Sequence, residues 1–456
     1  MTSPSPRIGV VGSGYVGTVV AAAFAALGYH VVGVESDRSK LKLLRDGLLP
    51  FHESGLPELL ADQVASGQLT FTDDLAKACD TCDVLFLCVG TPAARDGAPD
   101  LNAMEGVART IGASVTRPIV VVTKSTVPVG TNLWLRSLIE DGIAARRIDG
   151  VQVSIVANPE FLRVGTAIDD FLFPDRVVIG SDEPAALEIV TEIYRPILDC
   201  QVPATVGTAH GRGVPRLVTA GLGTAELIKY ASNSFLAMKI SFVNELAQIC
   251  DRVGADVTQV AEAMGMDHRI SPLFLRAGLG WGGSCFGKDL TALANTAREH
   301  GFEPTLLQAI GSVNDYQRLE VVRKLQAHLG ALRGKRIALL GLAFKPGTDD
   351  TRDSPAVEIT SKLQLLGAVV TAHDPVVVDL AQSQRLRIVG DVYAAVDRAD
   401  AVVLVTEWPE YTRLDLKAVA AAMTGTLFID GRNALDPARV RDAGLIYEGI
   451  GRKVSS

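Results

Sequence analysis

The strongest constraint on this chain is a set of glycines near its start. Gly12, Gly14 and Gly17 stand in Gly12-Ser13-Gly14-Tyr15-Val16-Gly17, at the end of the apolar run Arg7–Val11. A helical pattern follows from Tyr15 to Leu27 and closes at Gly28, and a second apolar run, His30–Val34, ends at Glu35. Strand, glycine turn, helix, strand and terminal carboxylate make a βαβ unit. The spacing brings backbone close to a pyrophosphate at a helix N-terminus and puts an acid where an adenosine ribose would lie. Ile8 to Val34 is 27 residues without Asp, Glu, Lys or Arg, and a membrane helix needs roughly 20 apolar residues. Its six glycines, with Ser13, Thr18 and His30, argue for the βαβ reading instead.

Further strands are expected at Asp83–Val89 and Pro118–Thr123, each followed by turn chemistry, Gly90-Thr91-Pro92 and Ser125-Thr126-Val127-Pro128. Thr224 is the expected N-cap of a long helix ending at Val253 before Gly254. Leu227, Ile228, Phe235, Leu236, Ile240, Phe242, Val243, Leu246 and Ile249 lie nearly all round it. Such a helix belongs inside the molecule or at a subunit interface. A third unit starts at Gly334, with strands at Arg336–Leu340, Ala368–Ala372 and Asp400–Thr406 and a Ser354-Pro355 helix start. Arg336-Ile337-Ala338-Leu339-Leu340-Gly341 echoes Arg7-Ile8-Gly9-Val10-Val11-Gly12. The expectation is an α/β fold: two Rossmann-like doubly wound domains joined by a central long-helix domain, divided as 1–215, 216–325 and 326–456. The third unit lacks the GxGxxG pattern and is not expected to hold a dinucleotide in the same way.

Length and composition agree. The chain has 456 residues, 48% hydrophobic and 21% charged, which suits two or three soluble domains. The net charge, 44 minus 52 or −8, argues against nucleic-acid binding. Six cysteines are too few for a disulfide scaffold. Met1–Pro6 has no basic start followed by an apolar core, so no secretory signal is expected and a cytoplasmic location is.

Cys285 is the sharpest single residue, in Gly280-Trp281-Gly282-Gly283-Ser284-Cys285-Phe286-Gly287-Lys288-Asp289, just before a helix expected near Asp289–Ala297. A thiol at a helix N-terminus beside a lysine is activated as a thiolate. Cys79, Cys82, Cys88, Cys200 and Cys250 read as inert, and Cys79-x-x-Cys82 precedes a strand rather than opening a helix. Lys229 and Asn233 are four apart on one helix face, where an amine and an amide hold and polarise an oxygen. Glu160, in Asn158-Pro159-Glu160-Phe161-Leu162, follows a strand and is a candidate acid or base. Glu35 favours NAD over NADP because it would repel a 2′-phosphate; Arg38 nearby softens that preference. Lys345, Arg352 and Arg432 sit in strand-end loops of the third unit, where basic groups suit phosphate.

In order and spacing, these motifs resemble the UDP-glucose/GDP-mannose dehydrogenase family over nearly the whole chain. The match runs from the glycine turn through Ser125-Thr126-Val127-Pro128, Asn158-Pro159-Glu160-Phe161-Leu162, Glu226-Leu227-Ile228-Lys229-Tyr230, Gly282-Gly283-Ser284-Cys285-Phe286 and Phe344-Lys345 to Asp430-Gly431-Arg432. The run Asn233–Glu245 is similar to the branch acting on UDP-glucose. The resemblance implies an NAD-dependent four-electron oxidation of UDP-glucose to UDP-glucuronate. Cys285 holds the aldehyde as a thiohemiacetal and then as a thioester. Lys229 and Asn233 stabilise oxyanions, Asp289 and Thr126 handle water or protons, and Glu160 is the acid or base of hydrolysis. Gly12, Gly14, Tyr15, Val16, Gly17, Glu35, Thr91, Thr126 and Arg352 form the implied cofactor set. Glu160, Phe161, Leu162, Lys229, Asn233, Phe274, Arg276, Gly282, Lys345 and Arg432 form the nucleotide-sugar set, with Arg269 reaching the substrate of a neighbouring subunit. The implied assembly is a homodimer or larger, with no metal. Four features depart from the family pattern: Glu35 in place of the usual Asp, Val164 in place of a frequent Glu, Gly287 in place of a frequent Pro, and added length over Pro203–Ala220. Two other enzyme readings remain: a dehydrogenase of UDP-N-acetylmannosamine or GDP-mannose, and a two-electron hydroxyacid dehydrogenase that needs no Cys285. A non-catalytic scaffold that responds to NAD is a third class.

Overall fold

Short runs of Val, Ile and Leu, apolar on both faces, form strands covered on both sides by helices. The computed structural model describes residues 5–94, 97–203, 206, 213–380 and 386–452. The chain divides into two compact units, Met1–Ala231 and Ser232–Ser456.

The first unit holds strands β1 (Ile8–Val11), β2 (Val31–Val34), β3 (Leu69–Thr72), β4 (Val84–Leu87), β5 (Ile119–Thr123), β6 (Val153–Ala157), β7 (Arg176–Gly180) and β8 (Arg216–Ala220). Their order in the sheet is β3-β2-β1-β4-β5-β6-β7-β8. β1 pairs in parallel with both β2 and β4, Val10 lying opposite Gly33 on one side and Phe86 on the other. The order reverses there, and open α/β sheets hold ligands at such a point. The pairing of β6 with β7 is antiparallel, through Ala157 and Gly180. The added length noted over Pro203–Ala220 lies partly outside the described residues; its last part is β8, parallel to β7. Ile8, Val10, Phe24, Phe86 and Val122 are fully buried in this unit's core.

The second unit holds β9 (Arg336–Leu340), β10 (Val369–His373), β11 (Arg387–Ile388), β12 (Ala401–Leu404), β13 (Leu427–Asp430) and β14 (Ile446–Gly449). They form an all-parallel sheet of order β11-β10-β9-β12-β13-β14. The second sheet is wholly parallel and the first is parallel except between β6 and β7; both are doubly wound, as the repeated apolar pattern implies.

The long helix, Leu222–Val253, has 32 residues, about 48 Å, and crosses the division between the units. It begins two residues before Thr224, so Thr224 is not its cap. Ala225 N donates to Gly221 O at 3.1 Å, and Leu222 is buried in the first unit's core, which draws the helix start upstream. Ala237, Val243 and Ala247 are buried, whereas Phe235, Phe242 and Ile249, seven residues apart, are about half exposed. No described helix is long and apolar enough to cross a membrane.

Candidate active site

The glycine turn is built by steric necessity. A Cβ on Gly17 would overlap the Gly12 carbonyl oxygen, and one on Gly12, at φ +91°, would press 2.9 Å from the Val89 backbone leaving β4. Gly14 faces open space. The helix Tyr15–Ala26 starts on Gly14 with no side-chain cap, which leaves its first N–H groups for an anion. Val16 is half-buried. Glu35, at the end of β2, is buried, and its Oε1 accepts from Asp37 N at 2.8 Å. Its other oxygen has no protein hydrogen bond among the described residues and could accept from ribose hydroxyls. Asp37 caps the helix Arg38–Arg45 through Ser39 N and Lys40 N. These residues fit a bound NAD. Thr91 Oγ1 donates to Thr126 O at 2.8 Å and ties the turns after β4 and β5 together.

The Tyr15 hydroxyl is committed elsewhere, donating to the Glu53 carboxylate. Glu53 is fully buried and also accepts from Gly165 N at 2.6 Å and Ala167 N at 2.8 Å. Burial, then Glu53, pushes the Tyr15 phenol far above its ordinary range. Glu53 thus joins the glycine-turn helix to the loop that follows Glu160. In that loop Glu160 Oε2 accepts from Leu162 N at 2.6 Å, and Oε1 pairs with Lys229 Nζ at 3.0 Å. Both side chains are buried. Burial alone would raise the Glu160 carboxyl; Lys229, the Leu162 N–H and Lys124 outweigh it and hold it below the ordinary range. Phe161 lies under the Arg176 guanidinium at 4.0 Å, with Lys229 Nζ 5.4 Å from its ring.

In the second unit Cys285 stands at the N-cap position of the helix Phe286–Glu299, exposed and with no side-chain cap beside it. Ser284 Oγ is 3.7 Å from its sulfur. The helix starts three residues earlier than expected, so the thiol lies at the positive end of its dipole. Lys288, the lysine expected beside the thiol, bonds Asp289 Oδ1 through its Nζ at 2.7 Å. Asn233 Nδ2 donates to Asp289 Oδ2 at 2.6 Å, and Asp289 is buried. Arg352 feels the charge of Cys285; Asp350 holds this guanidinium at 2.7 Å and chiefly raises its pKa. A Cβ on Gly283, at φ +87°, would stand 2.9 Å from the Phe344 ring, and Gly283 N donates to Arg352 O at 3.1 Å. A Cβ on Gly282 would overlap the Asp353 carbonyl oxygen. The Cys285 loop therefore lies directly on residues 344–353.

Arg432, half-buried, donates to Val405 O at 2.6 Å, Phe344 O at 3.3 Å and Gly280 O at 3.4 Å, which joins three loops. Lys345 Nζ lies 5.5 Å from the Phe344 ring centroid. Phe274 is held at φ +63°, rare for a bulky side chain and a mark of imposed local structure. Arg276 is exposed. Arg269 is exposed and pairs with Asp267 at 2.6 Å.

Three residues escaped the sequence reading. Arg318, buried, bonds Trp281 O and Asp353 Oδ1, each at 2.7 Å, and so clamps the Cys285 loop. Glu53 and Lys124 are buried polar groups whose partners lie far along the chain. The only local signal was a charged residue in an apolar context, as with Lys124 directly after the apolar β5.

Three family models match consecutive parts of this chain. The NAD binding domain of the UDP-glucose/GDP-mannose dehydrogenase family matches residues 6–198, its central domain 223–316 and its UDP binding domain 338–437. A UDP-glucose 6-dehydrogenase of Rhizobium meliloti is 44% identical over 452 residues, 98% of this chain and 99% of that protein. The solved UDP-glucose dehydrogenase of Pyrobaculum islandicum is 38% identical, covers 99% of both chains and has a TM-score of 0.88. A UDP-D-ManNAc dehydrogenase of Pyrococcus horikoshii is more distant in sequence, 27% identical over 98% of this chain and 99% of that one, with a TM-score of 0.84.

Proposed function

The chain belongs to the UDP-glucose/GDP-mannose dehydrogenase family, and from that premise we propose that it oxidises UDP-glucose at C6 to UDP-glucuronate, with two NAD consumed per sugar. The observation that carries the reading is Cys285: an exposed thiol at an uncapped helix N-terminus, four residues before a buried Asp289 held by Asn233 and Lys288. A two-electron hydroxyacid dehydrogenase has no use for that nucleophile. Identity of 44% and 38% to UDP-glucose enzymes, against 27% to the UDP-D-ManNAc enzyme, supports glucose as the sugar.

The glycine turn would hold the NAD pyrophosphate and Glu35 its adenosine ribose, with Tyr15, Val16, Thr91, Thr126 and Arg352 completing the set. NAD, when bound there, would supply the hydride acceptor, one molecule for oxidation of the C6 alcohol and a second, after exchange, for oxidation of the Cys285 adduct. Lys229 and Asn233 donate to the oxyanion that each addition creates. Asp289 and Thr126 hold the water, and the Asp289 carboxylate accepts its proton. Water then attacks the Cys285 thioester, its C–S bond breaks, and the thiolate leaves the carboxylic acid. Glu160 relays the proton in that step, and its pairing with Lys229 keeps it an acceptor. Phe161, Leu162, Phe274, Arg276, Gly282, Lys345 and Arg432 receive the nucleotide sugar.

The division into 1–215, 216–325 and 326–456 is part of the proposal. So is a homodimer or larger assembly, supported by the half-exposed Phe235, Phe242 and Ile249 on the long helix; Arg269 then serves a neighbouring subunit. A cytoplasmic location is part of the same proposal. The test is NADH formed per sugar consumed over a panel of nucleotide sugars. Two NADH per UDP-glucose with no free aldehyde supports the reading; one NADH, or a preference for another sugar, overturns it. Light scattering of Phe242→Asp, against an oligomeric wild type, tests the assembly.

A further inference from the structure

Lys124 directly follows β5 and is buried. No carboxylate pairs with it among the described residues. Its Nζ donates to Asn158 Oδ1 and to the Tyr194 hydroxyl oxygen, both at 3.0 Å, and that hydroxyl donates in turn to Asn158 Oδ1 at 2.6 Å. The ammonium also lies 5.6 Å from the Phe171 ring centroid and 5.4 Å from that of Tyr194. A buried cation held by neutral groups is costly and needs a reason.

The reason lies two residues past Asn158. Asn158 N donates to Thr123 O at 2.9 Å, and its Nδ2 to Val178 O at 2.8 Å, so this side chain pins the end of β6 between β5 and β7. Pro159 and Glu160 follow at once. We infer that Lys124 is a positioning residue for Glu160: its ammonium, through Asn158 and Tyr194, locks the Asn158-Pro159-Glu160 turn. Its charge also helps, after that of Lys229, to hold the Glu160 carboxyl below the ordinary range. This rests on the reading of Glu160 as the proton relay of thioester hydrolysis.

The groups facing Lys124 are Cys88 after β4, Glu160 after β6, Tyr194 after the helix Pro184–Ile193, and Lys229 on the long helix. Burial pushes the Lys124 amine down to about 8; Cys88 and Glu160 oppose that shift and Lys229 adds to it. Lys124 is therefore charged across the acid range in which Glu160 titrates.

The test compares wild type, Lys124→Met, Lys124→Gln and Glu160→Gln with UDP-glucose and saturating NAD, from about pH 5 to about pH 9. It reads kcat, KM and the intact-protein mass during turnover. Lys124→Met should lower kcat by up to about threefold at about pH 5 with KM little changed, because its acid limb moves up by about one unit. The thioester should accumulate. Lys124→Gln keeps a donor to the turn but no charge, so it should shift the limb as well; it also carries the test if Lys124→Met does not fold. A folded variant with the wild-type acid limb overturns the inference. If Glu160→Gln itself turns over normally with no thioester, the reading of Glu160 fails instead, and the two failures are told apart.

Discussion

The two sheets share one frame and differ at their loops. β3-β2-β1-β4-β5-β6 and β11-β10-β9-β12-β13-β14 have the same order and the same parallel sense. After β1 the chain turns on Gly12 directly into a helix whose N-terminus is uncapped. After β9 it turns on Gly341, also at positive φ, but then runs through the loop 342–354 to a helix that Ser354 caps. The carboxylates that end the second strands differ in the same way. Glu35 spends one oxygen on one backbone amide. Asp374, one residue past β10, accepts from Leu342 N, Ala343 N, Val376 N, Val377 N and the Trp408 indole. One sheet leaves an oxygen of its acid without a protein partner among the described residues; the other uses its acid to hold its own loops. Strand order alone does not make a dinucleotide site.

The largest expected effect separates chemistry from the first sheet altogether. Cys285→Ser should lower turnover by more than about a thousandfold, because a hydroxyl is a far weaker nucleophile at neutral pH. NAD affinity, measured by fluorescence titration, should be unchanged; steady two-NADH turnover by this variant would sink the mechanism. Next come the paired glycines. Gly17→Ala should weaken NAD about a hundredfold, since its Cβ displaces the turn. Gly341→Ala has strained φ and a collision with Thr406, so it should lower the thermal midpoint and leave the NAD Kd alone. A matched loss of NAD binding in both variants would erase the contrast. The acids follow: Glu35→Ser should weaken NAD about tenfold and narrow its lead over NADP, read as a ratio of kcat/KM. Asp374→Asn should instead destabilise the protein by about 2 kcal/mol in denaturant melts, with cofactor preference intact.

The smallest effect is one of pH. Glu160 is held below the ordinary carboxyl range, so its contribution to stability is complete above an ordinary value of about 4.5 and is lost as pH falls through its lower folded value. Burial raises the Asp430 carboxyl despite its bonds to Leu435 N and Arg432 N, so its contribution is greatest at low pH and is lost as pH rises through the raised value. Stability measured as a function of pH should show the deficit of Glu160→Gln closing on acidification and that of Asp430→Asn widening. Parallel trends would refute the opposed shifts.

Much of the fold was legible. β1, β2, β4, β5, β9, β10 and β12 lie within two residues of the expected runs, because strands covered on both faces must be continuously apolar. β8 escaped because its side chains are mostly half-buried or exposed and Arg216 opens it. The long helix was legible in type and end but not in start, since Leu222 is drawn in by tertiary burial rather than by a capping residue. At the site, Cys285 before a helix and Glu160 after a strand could be read from their neighbours. The bond of Lys288 to Asp289 could not, because neighbouring residues do not show which acceptor a lysine's flexible stem reaches.

The sequence by itself determined where strands and helices lie, which turn is glycine-built and which thiol opens a helix, since each of these is written in neighbouring residues. The tertiary structure alone decided which charge meets which. Lys229 meets Glu160 across 69 positions, and Gly165 N meets Glu53 across 112. Lys124 meets Tyr194 across 70, and Asp374 meets the loop amides 31 and 32 positions back. Polar pairing has no periodicity along a chain. It is settled by which strand ends the sheet order brings together, and by the cost of leaving a buried charge or N–H without a partner.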